Sequence, residues 1–204
     1  MPITLMPSSA SWPAEFDSLS AELHRALGSL ALRIDHIGST SIPGLAAKDV
    51  IDAQVIVASL KPRDRDLLVG AFVTAGFARA GGSWNQRDHI PSTWTGSHSA
   101  WDKMTFRSGP GLRPANVHVR VAGQPNERYA LLFRDFLRND VEARMAWEGF
   151  KVRLAHEARD LHAYGALKDP ATDVLMVAAE RWASAVTGRY RARMRGVPAA
   201  LARE

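Results

Sequence analysis

Apolar residues recur at spacings of three and four through Phe16, Leu19, Leu23, Leu27 and Leu30, the stripe of a helix that buries one face. Pro13 suits its first turn, and the helix is expected to end near Gly28–Leu30. Leu32 to Ile37 alternates as a short strand and runs into a turn marked by Gly38, Pro43 and Gly44. Val50 to Val57, rich in β-branched residues, predicts a second strand. Leu67, Leu68, Ala71, Phe72 and Ala75 predict a helix over 63–76, and Gly76-Phe77 begins a short extended piece.

Residues 81–114 are the least regular stretch, rich in Gly and Pro and holding three of the six tryptophans. Two readings compete there: a functional segment, or a surface loop anchored by its Trp residues. Only Lys103 to Arg107 reads as a strand within it, and Ala115 to Val121 is a clear alternating strand after it. Beyond Pro125 the pattern is helical. Tyr129, Leu132, Phe133, Phe136 and Leu137 mark a helix ending near Asn139; Val141, Met145, Glu148 and Val152 mark the next, to about Tyr164. Val174, Leu175, Val177, Ala178, Arg181, Trp182 and Ala185 mark a third, begun after Pro170. This order predicts an α+β fold, a small mixed β-sheet packed by helices with a helical C-terminal third. A single domain over 12–188 is expected, with a loose N-terminal arm at 1–11 and a basic tail at 189–204.

Composition narrows the classes. At 204 residues, 46% apolar and 23% charged, the chain has the balance of one soluble globular domain. No run approaches the ~18 apolar residues of a membrane span, and the N-terminus does not read as a signal peptide. The absence of cysteine removes disulfides, thiolate metal sites and cysteine nucleophiles, and suits a cytoplasmic protein. The net charge of +5 sits mostly in the last sixteen residues, which hold five Arg and one Glu. With no basic stripe in the body, nucleic acid is the weakest partner reading. The tryptophans read as core and loop anchors rather than as base-stacking platforms.

The chemistry concentrates in the loop His36–Leu45. After a strand, Gly38 lets the backbone approach a ligand without a Cβ, and N–H groups at a following helix start favour an anion. The Ser39 hydroxyl adds a donor. Structural turns share this pattern, so the next strand matters: Asp52 places a carboxylate on it, where it would sit beside the loop.

The run from His36 through Gly38-Ser39-Thr40-Ser41-Ile42-Pro43-Gly44-Leu45 to Lys48 and Asp52 is similar to the signature of the GrpB family. The resemblance extends over about 12–183, through Trp12-Pro13, Phe16, Val117-His118-Val119, Leu132 to Arg138, and Tyr164 through Lys168 to Trp182. It implies a nucleotidyltransferase-like fold, in which a Gly-Ser turn and paired strand acids bind nucleotide phosphates and Mg²⁺. Carried over, it makes Asp52 the catalytic residue and metal ligand. Gly38, Ser39, Thr40, Lys48, His36, His118, Arg134, Arg138, Tyr164 and Lys168 become the nucleotide- or phosphate-binding set. The implied ligand is a nucleotide or other phosphorylated small molecule. A related domain accompanies dephospho-coenzyme A kinase in some bacteria, so a protein partner is the alternative; this chain has no P-loop motif of its own.

The sequence departs from the nucleotidyltransferase pattern at Gln54, where a second acid is expected, and the strand that could hold a third offers His118 and Arg120. An amide can still offer a carbonyl oxygen to Mg²⁺, but no charge. For Arg134 and Arg138, ion pairing with Asp135 or Glu142 competes with phosphate binding; for His36 and His118, a buried hydrogen-bonded role does. No His-Glu-x-x-His, His-x-His or Gly-x-Ser-x-Gly occurs, which leaves no sequence motif for zinc or a serine hydrolase.

Overall fold

A computed structural model describes residues 3–186; the Arg-rich tail lies outside the described residues. The chain opens with α1 (Trp12–Leu27), β1 (Arg33–Ile37), β2 (Ile51–Val57), α2 (Pro62–Thr74) and β3 (Phe77–Arg79). β4 (Met104–Ser108) and β5 (Ala115–Val121) complete the strands. α3 (Pro125–Asn139), α4 (Val141–Glu157) and α5 (Leu161–Ala185) form the C-terminal third. The strands make one mixed sheet in the order β1-β2-β5-β4-β3, with β2 and β5 parallel and the other pairs antiparallel. This is the α+β architecture expected.

Strand alternation gives the sheet two unlike faces. One is apolar: Ile51, Ala53, Val55 and Val57 of β2, Val117 and Val119 of β5, and Met104 and Phe106 of β4 pack against Trp12, Leu19, Leu23 and Leu27 of α1 and Leu68 and Phe72 of α2. Phe72 stacks on Phe106 with ring centroids 3.9 Å apart. The other face is polar, carrying Asp52 and Gln54 in register with Asn116 and His118. A second core ties the three C-terminal helices to the loop after β1, through Ile42, Leu45, Leu132, Phe136, Trp147, Met176 and Ala179.

Four local expectations change. α4 ends at Glu157, not near Tyr164, because Asp160 caps a new helix by accepting from the Ala163 amide. α5 then runs through Pro170, whose missing N–H is tolerated within a 25-residue helix held on both sides. On α4 the stripe Val141, Met145 and Val152 is exposed, and the buried face is Trp147, Lys151 and Leu154. The arm is not loose over its described part: Met6 and Ala47 exchange two backbone hydrogen bonds of 2.7 and 2.9 Å.

Candidate functional site

A cleft of about 610 Å³ opens between the polar sheet face, the loop after β1, the segment between β3 and β4, and the helices α4 and α5. Gly38, Ser39 and Thr40 form one wall with Lys48 and Asp52; His118, Lys103, Lys151, Tyr164 and Lys168 complete the inner end. Gly38 has φ +67°, and a Cβ there would lie 2.5 Å from Asp52 Oδ2, so the turn and the acid touch directly. The other carboxylate oxygen, Oδ1, accepts from Asn116 Nδ2 at 3.0 Å. The expected helix start after Gly38 is only a three-residue 3-10 turn, Ser39–Ser41. Its few aligned peptides supply little dipole, so the positive charge on this side of the cleft is carried by side chains.

It comes from lysines. Lys151 reaches across from α4, donating to Ser39 Oγ at 2.8 Å and to the Ala46 carbonyl at 2.6 Å. Burial pushes its ammonium down to about 7, and Lys168 nearby adds to the shift. Burial likewise lowers Lys168, against the opposing pull of Asp52 and Asp169. Among the described residues the Lys168 ammonium has neither a hydrogen-bond nor an ion-pair partner. Lys48 completes the rim.

The cleft floor is an ionic cluster that the sequence did not reveal. Asp88, from the irregular segment, accepts from Lys103 Nζ at 2.8 Å, Arg120 Nε at 2.8 Å and Asn126 Nδ2 at 3.1 Å. Burial alone would raise its carboxyl, but Arg120 and Lys103 outweigh that and hold it far below the usual range. His118 receives a 3.3 Å contact from Lys103 Nζ at Nδ1; burial, with Lys103 and Arg120 beside it, keeps the imidazole neutral. Gln54 is fully buried, and both ends of its amide are committed: Nε2 donates to Asp35 Oδ2 at 2.9 Å, and Oε1 accepts from Arg120 Nη1 at 2.7 Å.

Three expected ligand residues lie elsewhere. His36 points to the α1 side of the sheet, stacked on Phe16 at 4.5 Å and bonded to Thr40 Oγ1 at 3.0 Å. Burial, then Arg138 and Arg134, pushes its imidazole down to about 4, which favours the neutral ring. Arg134 Nη1 donates to the His36 carbonyl at 2.9 Å, and Arg138 donates twice to the Ser41 carbonyl, at 2.7 and 2.8 Å. The arginines brace the two ends of the turn from behind and, with His36, line a separate pocket of about 400 Å³. Asp49 faces away as well, accepting from Trp12 Nε1 at 3.0 Å and pairing with Arg113.

The implied Mg²⁺ can be tested against these donors. Mg²⁺ asks for several oxygen ligands in octahedral array. Here the Gln54 oxygen is engaged by the Arg120 guanidinium, one Asp52 oxygen takes an amide donor, and the in-register neighbours on β5 are Asn116 and His118. Among the described residues no group of three His, Asp or Glu is placed to hold a metal. The residues present do not fit the two-ion arrangement.

Fold and cleft together define an α+β domain whose acid-bearing strand faces lysines across the cleft. Comparison with known proteins gives the lineage. The GrpB protein family matches residues 2–177, and the chain belongs to that family. It is 38% identical over 185 residues to a dephospho-CoA kinase of Mycolicibacterium paratuberculosis, covering 83% of this chain but 44% of that protein. The chain thus spans about half the length of the curated relatives it matches there. A UPF0157 protein of Deinococcus radiodurans is 33% identical over 164 residues, 80% of this chain and 75% of its own. The crystal structure of GrpB from Enterococcus faecalis aligns with a TM-score of 0.67 at 24% identity, over 88% of this chain and 99% of that one. No helix among the described residues is long and apolar enough to cross a membrane.

Proposed function

We propose that the protein binds a nucleotide or other phosphorylated small molecule, with its phosphates over Gly38, Ser39 and Thr40 between Lys48, Lys151 and Lys168. The observation that carries this reading is the Lys168 ammonium, desolvated beside Lys151 and with no partner among the described residues. Crowding like charges in a partly dry cleft is costly, and an anion relieves that cost. Lysines thereby take the part that metal ions play in a nucleotidyltransferase. Gln54, locked between Asp35 and Arg120, favours binding over two-metal group transfer. Titration calorimetry with pyrophosphate, nucleoside triphosphates and coenzyme A precursors, with and without Mg²⁺, tests it. No binding tighter than millimolar would end this reading, and affinity that appears only with Mg²⁺ would reverse the assignment to lysines.

A second reading has its own support: this region forms 44% of a relative named dephospho-CoA kinase, and α4 and α5 leave Val141, Met145, Val174 and Val177 exposed. In that reading the domain supports the folding or stability of a partner such as a coenzyme A biosynthesis enzyme. Asp52→Asn would then leave the partner's stability unchanged, while Met145→Glu with Val174→Glu would lower it. The reverse pattern would exclude it.

A further inference from the structure

We propose that the mouth of the same cleft is a nucleobase platform built on Trp84, so that the ligand of its lysine end is a nucleotide rather than a sugar phosphate or polyphosphate. This rests on the phosphate-binding reading above and adds what recognises the rest of the molecule. Among the described residues Trp84 is the only Phe, Tyr or Trp that is exposed, at 52% of its surface, and it lines the cleft.

Its exposure is not that of a dangling side chain. The next residue, Asn85, is buried; its carbonyl accepts from Thr105 Oγ1 at 3.0 Å and its amide bonds the Gly82 carbonyl. Glycine stands at each end of the indole. A Cβ on Gly82 would come within 3.3 Å of the Cδ1 and Nε1 atoms, and one on Gly165 would lie 4.0 Å from Cζ3. The ring therefore spans from the β3–β4 segment to α5, where His162 meets it edge-on with centroids 6.4 Å apart. An indole with an uncovered apolar surface is what a planar heterocycle stacks on.

Position selects the ligand. His162, Gly165 and Lys168 follow one another at three-residue steps along α5, which puts the Lys168 backbone about 9 Å beyond His162. The cleft thus presents an aromatic group that reaches Gly165, where no side chain intervenes, and then the cations around Ser39. A nucleotide has the same order: base, ribose, phosphates. Inorganic triphosphate fills only the last part.

The test compares ATP with inorganic triphosphate by calorimetry, without divalent metal, on the intact protein. ATP is expected to bind about tenfold or more tightly than triphosphate, a gap that Trp84→Ala and Trp84→Leu each erase and Trp84→Phe largely keeps. Triphosphate affinity should stay unchanged in all three. If triphosphate binds and ATP binds no better, or if the preference survives Trp84→Leu, the platform is overturned while phosphate binding stands. If neither ligand binds, phosphate binding falls and the platform with it.

Discussion

Lys151 and Ser39, 112 residues apart, meet at 2.8 Å, and this contact joins α4 to the turn after β1. The lysine is also fixed to the Ala46 carbonyl, so it is positioned before any ligand arrives. Its depressed pKa of about 7 and its place on the turn lead to the first prediction.

Affinity for a permanently ionised anion should depend on pH through Lys151. Sulfate does not titrate near neutrality, so its binding reports the protein alone. Binding favours the protonated amine, and sulfate affinity is expected to fall between about pH 6 and pH 8.5, with proton uptake on binding near pH 7. Lys151→Met should weaken sulfate binding at pH 6 and flatten that step. The stability of the free protein runs the other way. The folded state holds Lys151 at about 7 against an ordinary 10.5, so the unfolded chain binds more protons between those values, and this group makes folding more favourable as pH rises through that window.

The Gly38–Asp52 contact predicts an intolerant glycine. Gly38→Ala adds a Cβ 2.5 Å from Asp52 Oδ2 at a φ of +67°, and should cost about 2–4 kcal/mol in urea unfolding. Combining it with Asp52→Gly should recover part of that loss, because the side chain that the new Cβ meets is gone while the φ strain remains. Strict additivity of the two changes would contradict the contact.

Gln54 is expected to behave as a structural linchpin. Gln54→Leu keeps the volume but strips a donor from half-buried Asp35 and an acceptor from buried Arg120. A loss of about 2–3 kcal/mol is predicted from unfolding curves. A neutral outcome would mean that the amide is replaceable there.

Arg138 should act on the turn from a distance. It is partly exposed, so Arg138→Ala is expected to change global stability by less than about 1 kcal/mol. Without its two bonds to the Ser41 carbonyl, amide exchange over residues 38–42 should quicken, and anion affinity should drop several-fold. Unaltered exchange there would show that the turn holds itself.

Most of the sheet and the motif turn were legible in the sequence because each rests on local pattern: alternation in β2 and β5, and Gly38-Ser39 followed by Asp52. What escaped depends on which face of an element is buried. α4 carries two stripes of similar polarity, and the one that packs contains a lysine between Trp147 and Leu154, so the more apolar stripe of Val141, Met145 and Val152 misled. Lys151 within that buried stripe was the signal available. Asp88 left none, since its partners Lys103, Arg120 and Asn126 come from three separate segments. His36 and Arg134 fell outside the cleft for a simpler reason. Strand parity turns His36 to the face opposite Asp52, and Arg134 is used up on a backbone carbonyl.

The Asp88 cluster has a kinetic consequence. In the phosphate-binding reading proposed above, a floor whose carboxylate is held by Arg120, Lys103 and Asn126 leaves the lysines above it without that counter-charge, so the cleft is expected to meet its ligand already open. Capture then needs no conformational step. On that reading its rate is expected to be set by diffusion in an attractive field, fast at low ionic strength and slowing as salt is added, with escape distinguishing a good ligand from a poor one.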